Sequence, residues 1–161
     1  MSTPEPAQPP QSGLLQSAIE ETGLERAAEH YAKRLKETPE AQQYLASRGL
    51  ASSELMAVFH LGYSEGSLPE KLPREGRQAL QRAGVLAERG QELIKGCVVF
   101  PLDDPSSLRV VSLYGRHISQ RAGGLTHLYL PGERRGIFNP QGAKNTEEVL
   151  LTEGVIDAGP R

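Results

Sequence analysis

Residues Cys97–Tyr114, CVVFPLDDPSSLRVVSLY, hold two short β-branched and aromatic runs separated by a turn. Cys97-Val98-Val99-Phe100 reads as a strand that Pro101 stops, because proline has no N–H to give to a ladder. Leu108 to Tyr114 reads as a second strand, rich in valine and leucine. Asp103-Asp104-Pro105-Ser106 has the residues of a turn, so the two runs are expected to pair as a hairpin. The periodicity upstream of Glu92 is helical and that downstream is strand-like. Helices first and strands later predict an α+β fold, with helical segments followed by a small mixed or antiparallel sheet.

Working back from the hairpin, Arg77 to Ala83 reads as a helix closed by Gly84. Ser52 or Ser53 caps a short helix with Leu55, Met56 and Phe59, after which Leu61-Gly62-Tyr63 leads into a loop. Thr38-Pro39-Glu40 places a capping hydroxyl, a proline at the first helical position and an acid in the first turn, and that helix is expected to stop at Gly49. Leu24, Ala27, Ala28, Tyr31 and Leu35 fall at helical spacing. The helical pattern that begins at Leu14 pauses at Thr22-Gly23, where Thr22 and Glu25 have the spacing of a capping box. Pro4, Pro6, Pro9 and Pro10 among small polar residues make residues 1–13 a disordered tail.

Working forward, Leu128-Tyr129-Leu130 and Ile137-Phe138 are shorter strand candidates on either side of Pro131-Gly132. The last segment, EVLLTEGVIDA over Glu148–Ala158, is the most specific in the chain. A buried-looking strand, Val149 to Thr152, delivers Glu153 at its C-terminal end, and Gly154 then allows a sharp turn into a helix; ligands of α/β sheets bind at such a strand end. Asp157 follows four residues later, on the same side of a helical first turn. Glu153 suits either a magnesium ligand or a proton donor and acceptor at a reacting phosphate. The simpler reading is a well-started helix, since its dipole alone favours acids there by about 0.3–1 kcal/mol.

The chain has 161 residues, 37% of them apolar, which suits one folded domain and is too apolar for a disordered chain. No apolar run approaches the roughly 18–20 residues needed to span a bilayer, and no signal peptide is legible, so no membrane partner and a cytoplasmic location are expected. The single cysteine, Cys97, excludes an internal disulfide; a zinc ribbon needs about four Cys/His ligands, so no zinc is expected and Cys97 reads as a core residue. The net charge is −2, unevenly spread. Between Pro105 and Thr146, Arg109, Arg116, Arg121, Arg134, Arg135 and Lys144 face only Glu133, a local +5 that leaves −7 elsewhere. Such a stretch suits a phosphate backbone, because those contacts follow local potential rather than total charge; an unevenly charged, solvated surface is the bland alternative. His30 and His60 beside helical core positions read as structural or surface residues, and His117 as an outward-facing strand residue. Tyr114 and Tyr129 are candidates for stacking on bases or for core packing, and Phe100 for the core.

Taken in order, YLASRGL, FHLGYS, AGVL, IKGCVVFPLDD, VVSLYGRHI and LLTEGVIDA resemble the catalytic core of DnaG-type bacterial primases, over roughly Leu24 to Ala158. The resemblance implies a helical and hairpin subdomain, residues 14–144, followed at residues 145–161 by the start of a Toprim module, with a basic groove between them for single-stranded DNA template. Carried over by position, Glu153 is the catalytic acid/base and metal-site residue, with Mg2+ as the cofactor of the intact enzyme. Arg116 falls on the family's basic ridge and Lys95 near its template-facing arginines. His127 stands where many members have a lysine, so its attraction for phosphate is expected to be weaker or pH-dependent. Arg134 and Arg135 suit charge-assisted bonds to the backbone. HLYLPGERRGIFN is closer to primase-like proteins of mobile elements.

The implied activity is synthesis of RNA primers on single-stranded DNA by metal-dependent nucleotidyl transfer, with nucleotides as substrates and a replicative helicase as a possible partner. Family members carry further metal-binding acids beyond EGxxD, and a two-metal site cannot be built from one glutamate. The 161-residue chain alone is therefore expected to be truncated before those acids, to bind template, and to be inactive. The alternatives are a non-catalytic nucleic-acid-binding module of a mobile element, or part of another Toprim enzyme.

Overall fold

One long helix, α1, Gln11–Lys36, organises everything that follows it. The structure is a computed structural model that describes residues 11–119, 124–149, 151–152 and 154–155. Leu24, Ala27, Ala28, Tyr31 and Leu35 of α1 are all buried, as their spacing predicts. The expected pause at Thr22-Gly23 does not occur. The Thr22 hydroxyl donates back to the Ala18 carbonyl at 2.9 Å, so it caps nothing and the helix runs through. Gly23 serves packing instead: a Cβ there would stand 3.2 Å from Leu80 Cδ2 on a neighbouring helix. The helix also begins at Gln11, inside the stretch read as a tail, of which residues 1–10 lie outside the described residues.

Helix α2, Pro39–Ser47, starts on its proline, but the Thr38 hydroxyl donates to the Arg34 carbonyl at 2.7 Å and makes no cap bond. Helix α3, Ser53–Val58, is capped by the Ser52 side chain, which accepts from Leu55 N–H. Helix α4, Arg74–Arg82, begins a turn earlier than the expected Arg77, where Pro73 supplies an extended lead-in. All three end in the same way. A residue of positive φ follows the cap and the next N–H returns to the helix: Leu50 to the Leu45 carbonyl, Leu61 to Met56, Val85 to Leu80. That residue is Gly49 in α2 and Gly84 in α4, but His60 in α3.

Four antiparallel strands stand in the order β1-β2-β3-β4: Gly62–Tyr63, Cys97–Asp103, Val110–His117 and His127–Tyr129. The hairpin forms as expected, with Phe100 opposite Tyr114 and the Asp104 carboxylate accepting from Ser106 and Ser107 N–H in the turn. Pro101 does not stop β2, which continues to Asp103. On the edge away from β3, β1 covers only Val98 and Val99, and Ile137 bridges Asp103. Pro101 sits between them, where a missing N–H disrupts no ladder. The expected loop at Leu61-Gly62-Tyr63 is instead β1. A Cβ on Gly62 would lie 2.5 Å from Tyr31 Cβ and 2.8 Å from its backbone carbon, so only glycine lets this strand pass against α1.

The sheet has a core on each face. Val99, Leu113 and Cys97 pack with Leu24, Tyr31, Leu80, Val85 and Ile94. Val98, Phe100 and Tyr114 pack with Leu35, Leu45 and Leu61. Adjacent residues of β2 thus serve opposite cores, which is why the strand reads as an unbroken apolar run. Burial pushes the Cys97 thiol up to about 12, as befits a packed rather than reactive group.

The buried strand expected at Val149–Thr152 is not observed. Val149, Leu151 and Thr152 are not in strand conformation, and Leu151 is 93% exposed. Among the described residues no strand lies beside them, and an unpaired strand gains neither ladder bonds nor burial. Glu153, Asp157 and Arg121 lie outside the described residues.

Candidate nucleic-acid interface

The register of β3 on β4 sets Tyr114 opposite Tyr129 and Arg116 opposite His127, so all four side chains rise from one face of the sheet. Helix α2 covers the β2 side of that face and leaves the β4 side open. Tyr114 is buried, while Tyr129 is 39% exposed with its ring centroid 4.9 Å from that of Tyr114. The Arg134 guanidinium lies over the outer ring, Cζ 3.4 Å from the Tyr129 centroid.

Arg116 is held from α2, its Nε donating to the Tyr44 hydroxyl at 2.9 Å. Its Nη1 stands 3.4 Å from His127 Nε2, and His127 Nδ1 stands 2.6 Å from the Tyr114 hydroxyl. A guanidinium only donates, so Nε2 accepts and the proton sits on Nδ1, which donates to the Tyr114 oxygen. Burial, the largest influence on it, pushes the Tyr114 hydroxyl above its ordinary value. Arg48, one turn from Tyr44, lies 5.5 Å from that ring. Among the described residues none of Arg48, Arg116 and Arg134 has a carboxylate within ion-pair distance. The result is a strip of arginine and tyrosine with its charge uncompensated, suited to phosphates and to the flat faces of unpaired bases.

Not every cation of the basic stretch joins it. Arg109 makes two 3.0 Å bonds to the Glu25 carboxylate of α1 and is neutralised there. Arg135, next to Arg134 in sequence, lines a separate cleft with Glu20, Glu21 and Glu133. Lys95 is exposed just before β2, at the hairpin end that carries Arg116, with its stem laid over Gly66. Among the described residues no side-chain hydrogen bond or ion pair joins Lys95 or Arg135 to the strip. His117 lies over Gly96, half-buried, and His30 Nε2 is 3.2 Å from the Ser67 hydroxyl. Tyr44 and Arg48 are the two participants that sequence reasoning did not assign. Their signal was the i, i+4 spacing within YLASRGL, which puts both on one helical face.

No family model and no curated protein matches the sequence. Solved structures do. A DnaG primase catalytic domain bound to ssDNA is 26% identical and superimposes with a TM-score of 0.62 over 74% of this chain and 41% of that one. The chain has a DnaG-type primase-like fold. The Aquifex aeolicus primase, solved with its zinc-binding and RNA polymerase domains, gives 25% identity and a TM-score of 0.65 over 79% of this chain and 32% of that one. The E. coli primase catalytic core gives 27% identity and a TM-score of 0.59 over 70% and 38%. The chain therefore spans less than half the length of these DnaG-type structures. Among the described residues no helix is long and apolar enough to cross a membrane.

Proposed function

We propose that this chain is the template-binding part of a DnaG-type primase and that the strip from Arg48 to Arg134 holds single-stranded DNA. The observation that carries the reading is the exposed, uncompensated arginine and tyrosine surface on a primase-like fold, one relative of which was solved with ssDNA. Arg116, fixed by Tyr44 and beside His127, meets a phosphate, and Arg134 moves off Tyr129 to a second phosphate while a base takes its place on the ring. His127 sets the position of Arg116 and Tyr114 more than it supplies charge. Lys95 and Arg135 are proposed as outlying phosphate contacts.

Glu153 keeps its proposed place as the acid/base and magnesium residue of the intact enzyme, which takes nucleotides as substrates, makes RNA primers and works with a replicative helicase. Among the described residues no three His, Cys, Asp or Glu side chains converge to hold an ion. The role proposed for this chain is the binding of template.

The test is fluorescence anisotropy with labelled single-stranded and duplex DNA across salt concentrations. Tighter binding of the single strand is expected, with an affinity that falls as salt rises and falls again in Arg116→Gln. An affinity indifferent to salt, or equal for the two DNA forms, overturns the reading.

A further inference from the structure

The opening turns of α1 carry an apolar stripe that its own chain leaves uncovered. Leu14 is 58% exposed, Leu15 67% and Ile19 54%, Ala18 is exposed with them, and among the described side chains the first buried one is Leu24. Helices in proteins owe most of their stability to an apolar face packed against something, so a covering partner would stabilise these turns. The stripe is also neutral, since no residue from Gln11 to Ile19 is charged.

The second half of the same helix borders an open cleft of about 490 Å³, which Glu25, Glu29, Ala32 and Lys36 line from α1. Positions 14, 18, 25, 29, 32 and 36 are separated by three, four or seven, so stripe and cleft share one helical face. The floor of the cleft is apolar, with the Phe59 and Phe138 rings 5.4 Å apart between centroids, and Val58 on its wall is 69% exposed. Its other walls carry both signs, Glu29 and Asp103 against Lys33 and Lys36. A strongly charged occupant of either sign meets repulsion there, whereas a neutral apolar segment meets none.

A straight helix cannot fold its first half onto its second, but two copies can exchange them. We propose that two chains pair through α1, antiparallel about a two-fold axis level with Leu24, so that Leu14 and Leu15 of each enter the Phe59 and Phe138 cleft of the other. In that register Leu14 stands level with Ala32 of the second copy, and the contact is made twice over, from one self-complementary face. The 26 residues of α1 extend about 39 Å by helical rise. A strip of that length and about 10 Å wide comes to roughly 800 Å² over both copies before the cleft walls are added, close to the roughly 1,000 Å² of a specific interface.

Sedimentation velocity of the full chain over a concentration series tests it. A reversible dimer is expected, at least about tenfold weaker in Leu14→Lys/Leu15→Lys, which would drive two cations into a cleft flanked by Lys33 and Lys36, and likewise in Val58→Asp. All three positions are exposed, so neither variant touches the core. Mixing the two variants is the decisive arm. The copy with the intact cleft receives the intact stripe of the other, so an equal mixture is expected to associate more tightly than either variant alone. A wild-type chain that stays monomeric, which would assign the stripe to another kind of partner, overturns the proposal. So does an open-ended assembly, a dimer that neither variant weakens, or a mixture that pairs no better than its components.

Discussion

Arg109 and Arg116 stand at the two ends of β3, in the same basic stretch of sequence, and have opposite fates. Arg109 is gripped by the Glu25 carboxylate through two hydrogen bonds, with Glu21 3.9 Å away. Arg116 is oriented as firmly, but by the neutral hydroxyl of Tyr44 and the imidazole of His127. A carboxylate fixes a guanidinium and cancels its field; a hydroxyl fixes it and leaves the field standing. One arginine thus ties α1 to the hairpin turn, and the other remains available to a phosphate. Counting charges along the chain cannot separate the two cases.

The sharpest way to extend this contrast is to remove the stacking surface beside the free arginine. Tyr129→Leu is expected to weaken single-strand binding by about 1–3 kcal/mol, roughly what one stacked base contributes, while the dependence on salt stays as it was. Anisotropy titrations that show duplex and single strand weakening alike would remove the stacking role. Next in size, Arg116→Gln is expected to cost about 1 kcal/mol of DNA affinity and to lower the slope of log affinity against log salt by about 0.7 for the one phosphate lost. Arg109→Gln breaks the comparison from its other side: a small loss of folding stability by denaturant titration, since an exposed ion pair contributes little, and no change in DNA binding. A DNA defect in that variant equal to that of Arg116→Gln would mean the ion pair opens to nucleic acid after all.

The smallest effect is on pH. Burial, the largest influence, lowers the His30 pKa below its ordinary 6.5, against the opposing pull of Glu92. Its unfolded form takes up a proton first, so stability is full above about 6.5 and declines as pH falls toward the folded value. Melting curves between pH 8 and 5 should show that decline, and His30→Gln should flatten it, whereas neither arginine variant should alter its shape.

Much of the fold was legible because the signals are local. The Asp104 turn, Pro39 at the start of α2, Gly49 and Gly84 after their helices, and the apolar period from Leu24 to Leu35 each state their conformation within a few residues. The errors share one physical cause. Gly23 looked like a break and is a contact surface for Leu80; Gly62 looked like a loop and is a strand that only fits against Tyr31; Pro101 looked like a stop and lies on an uncovered edge. Each depends on a neighbour far along the chain. Val149–Thr152 erred in the same sense, since alternation and apolarity describe a willingness to pair while a strand needs something to pair with.

The candidate site divides along that line too. Arg116, Arg134 and Tyr129 were readable as residue types suited to polynucleotide from charge and aromaticity, and His127 only through the family resemblance. That Arg116 is held by a tyrosine 72 positions away, that Arg134 covers Tyr129, and that Arg109 is spent on Glu25 follow from chain segments brought together in space. Composition and local pattern determined which elements form and where positive charge is abundant, because backbone preference and side-chain chemistry act at short range. Which of those charges stays uncompensated was decided by tertiary structure, because a Coulomb partner is chosen by distance through space rather than along the chain.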